Sequence, residues 1–202
     1  MSKRVYISAD YAEGNGDRDV VNTLNRWAKD SFHTVDFVDM AKVASGSVSS
    51  DPDCRICDLK REFNQQINAS SAVIIVVGDK TAVRTAGSAC SRHGNSQYDC
   101  WCTPYKQNTS GSKLCKVYST STPGPNDDFG NINSCSYLRH EFEQAKKRHK
   151  NIIVVYNSMK KEPSWLPDYM KEYASIAQPF WINSSGIRIG NYSFIKEALG
   201  YE

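Results

Sequence analysis

Glu141 stands early in SYLRHEFEQAKKRHKNIIVVYN, residues 136–157, which reads as one amphipathic helix followed at once by one buried strand. Plotted at 100° per residue, Leu138, Phe142 and Ala145 share a narrow sector, Glu141 lies on its flank, and Glu143 and Lys147 point away. A carboxylate there, in the early turns of a helix packed on a sheet, comes near the sheet rim where ligands of α/β folds bind. The bland alternative, that Glu141 balances Arg139 or Lys146 on a helix surface, fits its flank position less well. His140 points about 100° away from Glu141, which argues against direct pairing of the two.

Other polar residues converge on the same rim. They are Ser8, Asp10 and Tyr11 at the end of the first strand, Asp39 and Lys42 after the second, and Gly78 and Asp79 after the third. Each taken singly reads as a capping or turn residue, and it is their convergence on one rim that makes a polar-ligand site the expectation. No G-x-G-x-x-G follows the first strand, and neither G-x-x-x-x-G-K-[ST] nor G-x-S-x-G occurs. A Rossmann dehydrogenase, a P-loop NTPase and an α/β-hydrolase are therefore disfavoured.

The elements that must position these residues follow from hydrophobic periodicity. RVYISA (4–9) is a strand. Val20, Val21, Leu24, Trp27 and Ala28 make a helical stripe from Asp17, with Asp17 or Asp19 as its cap. TVDFVDM (34–40) is the second strand, and Leu59, Phe63 and Ile67 mark a helix from about Arg55 to Asn68. SAVIIVVGD (71–79) and NIIVVYN (151–157) are buried strands, a short helix lies around Asp168 to Ala174, and PFWI (179–182) is a fifth strand. Phe194, Ile195, Ala198 and Leu199 share one face of a closing helix stopped by Gly200. Five strands alternating with helices specify an α/β three-layer sandwich with a parallel, flavodoxin-like sheet in the order 2-1-3-4-5.

Composition sets the bounds. With 202 residues, 40% hydrophobic and 11% aromatic, the chain closes one core, so residues 1–202 form one domain. A net charge of +3 is too mild for a nucleic-acid partner, and KKRHK suits the end of a helix. The runs AVIIVV and IIVVY are too short to span a bilayer. The start MSKRVYISAD lacks the apolar stretch of a signal peptide, so a cytoplasmic location is expected. Seven cysteines, an odd number, argue against a complete disulfide framework.

The succession KRVYISADY, GDRDVVNTLNRW, FVDM, GDKT and YLRHEFEQAKKRHKNIIVVYN resembles the TIR-like domain family of bacterial antiphage defence, including the signal-producing TIR proteins of Thoeris systems. The likeness covers most of residues 3–157. It implies that Glu141 is the catalytic glutamate of an NAD glycohydrolase or cyclase, with NAD as substrate and no further cofactor. It also implies that Ser8, Asp10, Tyr11 and Arg18 hold the adenine-ribose and phosphate part of NAD. Arg18 has a physical reason to do so, since a guanidinium grips phosphate bidentately. The loop after strand 2, MAKVASGSVSSDPDC, corresponds to the element through which TIR domains self-associate, and a downstream effector reads the product. The alternatives are a TIR-like interaction module without catalysis and a nucleoside- or nucleotide-processing enzyme on the same sheet.

One stretch departs from the family. Residues from about 80 to 134 read as a Cys-rich insertion after strand 3, too long for an ordinary connection. Cys90, His93, Cys100, Cys102 and Cys115 fall in it. Four of them can bind Zn²⁺ in principle, but C-x2-H-x6-C-x-C-x12-C matches no standard finger, so buried thiols are expected in preference to a zinc site.

Overall fold

The computed structural model describes residues 3–11, 16–29, 35–39, 52–83 and 136–201. Residues 40–51 of the loop after strand 2, with Lys42, lie outside them, and so does the expected insertion beyond residue 83, with Cys90, His93, Cys100, Cys102 and Cys115.

Four hydrophobic strands and a short fifth form one parallel sheet. They are β1 (Lys3–Ser8), β2 (Val35–Val38), β3 (Ala72–Val77), β4 (Asn151–Tyr156) and β5 (Gln178–Pro179), in the spatial order β2-β1-β3-β4-β5. The expected order is thus observed. Every residue of β3 is buried, as a central strand covered on both faces requires. Ser8 pairs with Ile75, so β3 runs two residues beyond the end of β1 at the carboxyl rim.

Helices cover both faces, giving three layers. Val20, Val21 and Leu24 of α1 (Arg18–Trp27) pack with Ile195 of α4 (Tyr192–Ala198) against Val5, Ile7, Ile74, Val76 and Val155. On the other face, Phe63 and Ile67 of α2 (Pro52–Ala69) and Phe142 and Ala145 of α3 (Tyr137–Lys147) pack against Tyr6, Val73, Ile75 and Val154. The change of face between α1 and α2 places the topological switch point between β1 and β3.

Three details differ from expectation. α2 begins at Pro52 rather than near Arg55, proline being well suited to the first helical position. The segment around Asp168 forms a 3-10 helix, Asp168–Tyr173. The fifth strand is not 179–182: the sheet takes only Gln178 and Pro179, and Trp181–Ser184 (β6) pairs antiparallel with Ile187–Gly190 (β7) in a separate hairpin. Its two-residue turn is Ser185 and Gly186, both at positive φ (52° and 83°), the geometry whose twist matches a hairpin. One face of the hairpin, Ile182, Ile187 and Ile189, is exposed.

The ends of α3 fix the register of Glu141. Ser136 caps the N-terminus, its Oγ accepting from the Arg139 N–H at 3.0 Å. At the other end His149 sits at φ 50°, while the Lys150 N–H reaches the Ala145 carbonyl at 3.0 Å and closes the helix as a Schellman motif. A non-glycine residue in this left-handed position is strained. His149→Gly is therefore expected to raise stability by about 1 kcal/mol, read as a higher urea midpoint at unchanged slope. An unmoved or lower midpoint would show that the His149 side chain contributes more than its backbone costs.

Candidate functional site

β1 enters the sheet with alternating side chains, so Tyr6 and Ser8, two residues apart, share the face that α3 covers. Glu141 descends from α3 onto that pair. The Tyr6 hydroxyl donates to Oε1 at 2.7 Å and the Ser8 hydroxyl donates to Oε2. The carboxylate is only 3% exposed, and Tyr6 and Ser8 are fully buried. Burial, opposed by the Ser8 and Tyr6 hydrogen bonds, pushes the Glu141 carboxyl from 4.5 up to about 7. Burial and the neighbouring Glu141 charge push the Tyr6 phenol well above its ordinary value, so it stays a neutral donor. The result is a carboxyl group at the switch point that changes charge near neutrality.

His140 points elsewhere. It is buried against α2, with Nε2 2.9 Å from Asn64 Oδ1, and one turn on Gln144 donates to Asn68 Oδ1 at 3.0 Å. This polar seam locks α3 to α2 and fixes the rotation at which Glu141 meets β1.

The remaining rim residues divide into separate groups. The Asp10 carbonyl accepts from the Asp17 N–H at 2.7 Å, closing the loop between β1 and α1. Arg18 is exposed, donates from Nε to the Tyr11 carbonyl at 3.2 Å and lies over the Tyr11 ring at 5.3 Å. Tyr11 and Arg18 therefore form a cationic, aromatic pair. Asp39 is buried, its Oδ2 accepting from Asn25 of α1 at 2.9 Å. Asp79 is exposed in the turn after β3, where the Gly78 N–H donates to Thr81 Oγ1 at 2.8 Å.

Asp17 does not act as the expected side-chain cap of α1, although it holds the cap position. Its carboxylate turns over the ends of β3 and β4, accepting from Asn157 Nδ2 at 2.9 Å and lying against Gly78. Asn157 also donates to Asp19 and accepts from Trp181 Nε1 at 2.6 Å, and Arg188 stacks on Trp181 while bonding Asp19. Burial raises Asp17 from 3.8 to about 6 despite its bonds to Asn157 and Asp10. Sequence reasoning missed Tyr6, Asn157, Trp181 and Arg188. For Tyr6 a signal existed, namely two hydroxyl residues at i and i+2 in an otherwise apolar strand.

Among the described residues no group of three or more His, Cys, Asp or Glu side chains is arranged to hold a metal ion, and no helix is long and apolar enough to cross a membrane. No family model matches the chain, and no curated protein matches it either.

Two measurements test this geometry. A carboxyl whose folded pKa is raised contributes stability that is fully present below its ordinary 4.5 and is lost as pH rises through about 7. Because Asp17 acts in the same direction at lower pH, the Glu141 part is read as a difference between proteins. Glu141→Gln should gain stability relative to wild type as pH rises from about 5 to about 8, by about 3 kcal/mol for a shift of this size. A pH-independent difference in urea unfolding would contradict the raised value. Gly78→Ala places a Cβ 2.5 Å from Asp17 Oδ1, so Asp17 must move; the expected loss is about 2 kcal/mol, and full stability would show that this clasp is dispensable.

Proposed function

We propose that the chain is a TIR-like, flavodoxin-like enzyme that cleaves NAD at its nicotinamide glycosidic bond and produces an ADP-ribose-derived signal in antiphage defence. The observation that carries this reading is the Glu141 carboxyl group, buried on two β1 hydroxyls at the switch point of the sheet. Its place in the YLRHEFEQ pattern, after KRVYISADY in chain order, supports the same reading.

The chemistry needs little else. The bond between ribose C1′ and the pyridinium nitrogen breaks with both electrons going to the nitrogen, so nicotinamide leaves neutral and no general acid is required. The positive charge passes to the ribose as an oxocarbenium-like centre, which an ionised Glu141 stabilises across a short, dry distance. Water, a hydroxyl of ADP-ribose itself or another small molecule then bonds to C1′ and releases its proton. Tyr11 and Arg18 offer stacking and phosphate-binding groups beside β1 for the rest of the dinucleotide. The loop after strand 2 is assigned to self-association, the insertion to choice of acceptor, and the product to a downstream effector.

The test follows NAD and ADP-ribose products by mass spectrometry in cells carrying wild type or Glu141→Gln, with and without phage. Wild type should form product, and the variant should lose it by about 100-fold or more. Because the ionised form is the active one, the rate in wild type should rise as pH passes through about 7. Equal NAD pools in both strains during infection would leave a non-catalytic interaction module as the better account. Nucleoside exchange without NAD consumption would indicate a nucleoside-processing enzyme.

A further inference from the structure

The two hydroxyls on Glu141 come from one strand but differ in freedom. Tyr6 lies midway along β1, and its ring is enclosed with Val38, Phe63, Ile67, Val73 and Phe142, so packing fixes both of its torsions. Its hydroxyl is thereby aimed at Glu141 Oε1, to which it donates at 2.7 Å. Ser8 is the last residue of β1, at the carboxyl rim, and its hydroxyl swings about a single bond.

The partners of the carboxylate are therefore unequal. One oxygen is anchored through a ring packed in the core, and the other is held by a small hydroxyl at the carboxyl end of β1, which needs a replacement donor before it can leave. A sugar hydroxyl arriving from the rim offers Oε2 the same kind of donor that Ser8 supplies, and a charged acceptor favours whichever donor aligns best.

We infer that Tyr6 is a positioning residue that fixes the Glu141 carboxylate through Oε1, and that Ser8 is its exchangeable partner, whose hydroxyl yields Oε2 to a hydroxyl of the bound substrate. The Ser8 half rests on the glycosidic-cleavage reading, and the Tyr6 half does not. Both donors favour the ionised carboxylate, while burial opposes it. The other titratable groups acting on Tyr6 are Tyr11, in the segment after β1, and Glu62 of α2, which accepts from Gln66 at 2.7 Å. On α3 itself His140 faces Asn64, and Arg139 and Glu143 pair with each other in solvent.

The experiment has a thermodynamic arm and a kinetic arm. Urea unfolding from about pH 4.5 to about pH 8.5 is compared for wild type, Tyr6→Phe and Ser8→Ala, each with Glu141 and with Glu141→Gln, so that subtraction isolates the ionisation of Glu141. Tyr6→Phe should move that midpoint up by about one unit, a response that a purely structural tyrosine would not give. Should the phenylalanine variant fold poorly, 3-fluorotyrosine at position 6, a stronger donor of nearly the same shape, should move the midpoint down instead. A midpoint indifferent to both changes overturns the positioning role.

In the kinetic arm, Tyr6→Phe should lower kcat for NAD by about ten-fold with KM little changed, because a mobile carboxylate meets the transition state badly. Ser8→Ala should lower KM, since the substrate no longer competes with an internal donor. A raised KM in Ser8→Ala would instead make Ser8 a direct substrate contact and overturn its exchange. Wild type without any NAD turnover would withdraw the Ser8 half together with the glycosidic reading, leaving the midpoint shift to decide the role of Tyr6.

Discussion

Burying an ionisable carboxyl group carries a desolvation cost that a protein must offset locally, and at Glu141 the offset comes from two hydroxyls on one strand. Much of the architecture can be read from that constraint. α3 must lie low enough on the sheet, and at the right rotation, for the carboxylate to reach β1 past β3. Phe142 and Ala145 set the depth by packing on the sheet, and the bonds from His140 and Gln144 to α2 set the rotation. The Ser136 cap fixes where the helix begins. None of these groups needs to touch a ligand, yet moving any of them moves the carboxylate.

The opposite face of the rim is organised by a second buried carboxylate with a different kind of support. Asp17 is held by amide and backbone donors, not hydroxyls, and it ties the loop after β1 to the ends of β3 and β4. Asn157 extends that tie through Trp181 to the β6–β7 hairpin and through Asp19 to Arg188. Hydrogen-bonded cross-ties of this sort stiffen the rim of the sheet.

What could be read in the sequence follows the range of the forces involved. AVIIVV and IIVVY reveal buried parallel strands because burial on two faces leaves an unbroken apolar run, and the strand order follows from connection rules. Glu141 is legible because helical periodicity places it beside its own apolar stripe. Tyr6 is not, since a tyrosine in a strand usually means core packing and its partner lies 135 residues away. The bounds of the fifth strand are not legible because PFWI looks continuous, whereas β4 ends at Tyr156, whose carbonyl accepts from the Phe180 N–H, and from Trp181 the chain pairs with β7 instead. Asp17 reads locally as a cap, and only the folded sheet brings Asn157 close enough to claim its carboxylate.

The separation in sequence between the partners at Glu141 also has a consequence in time. Tyr6 and Ser8 are made early and the glutamate 135 and 133 residues later, so at about 5–20 residues per second roughly 7 to 27 s of synthesis separate them on a ribosome. β1 cannot complete its sheet until β3 arrives, and the carboxylate has no seat until α3 closes over both. A nascent or truncated chain that stops short of this helix carries the hydroxyls without the acid. The buried cluster of one carboxylate and two hydroxyls thus forms only after α3 has been made and has closed over β1.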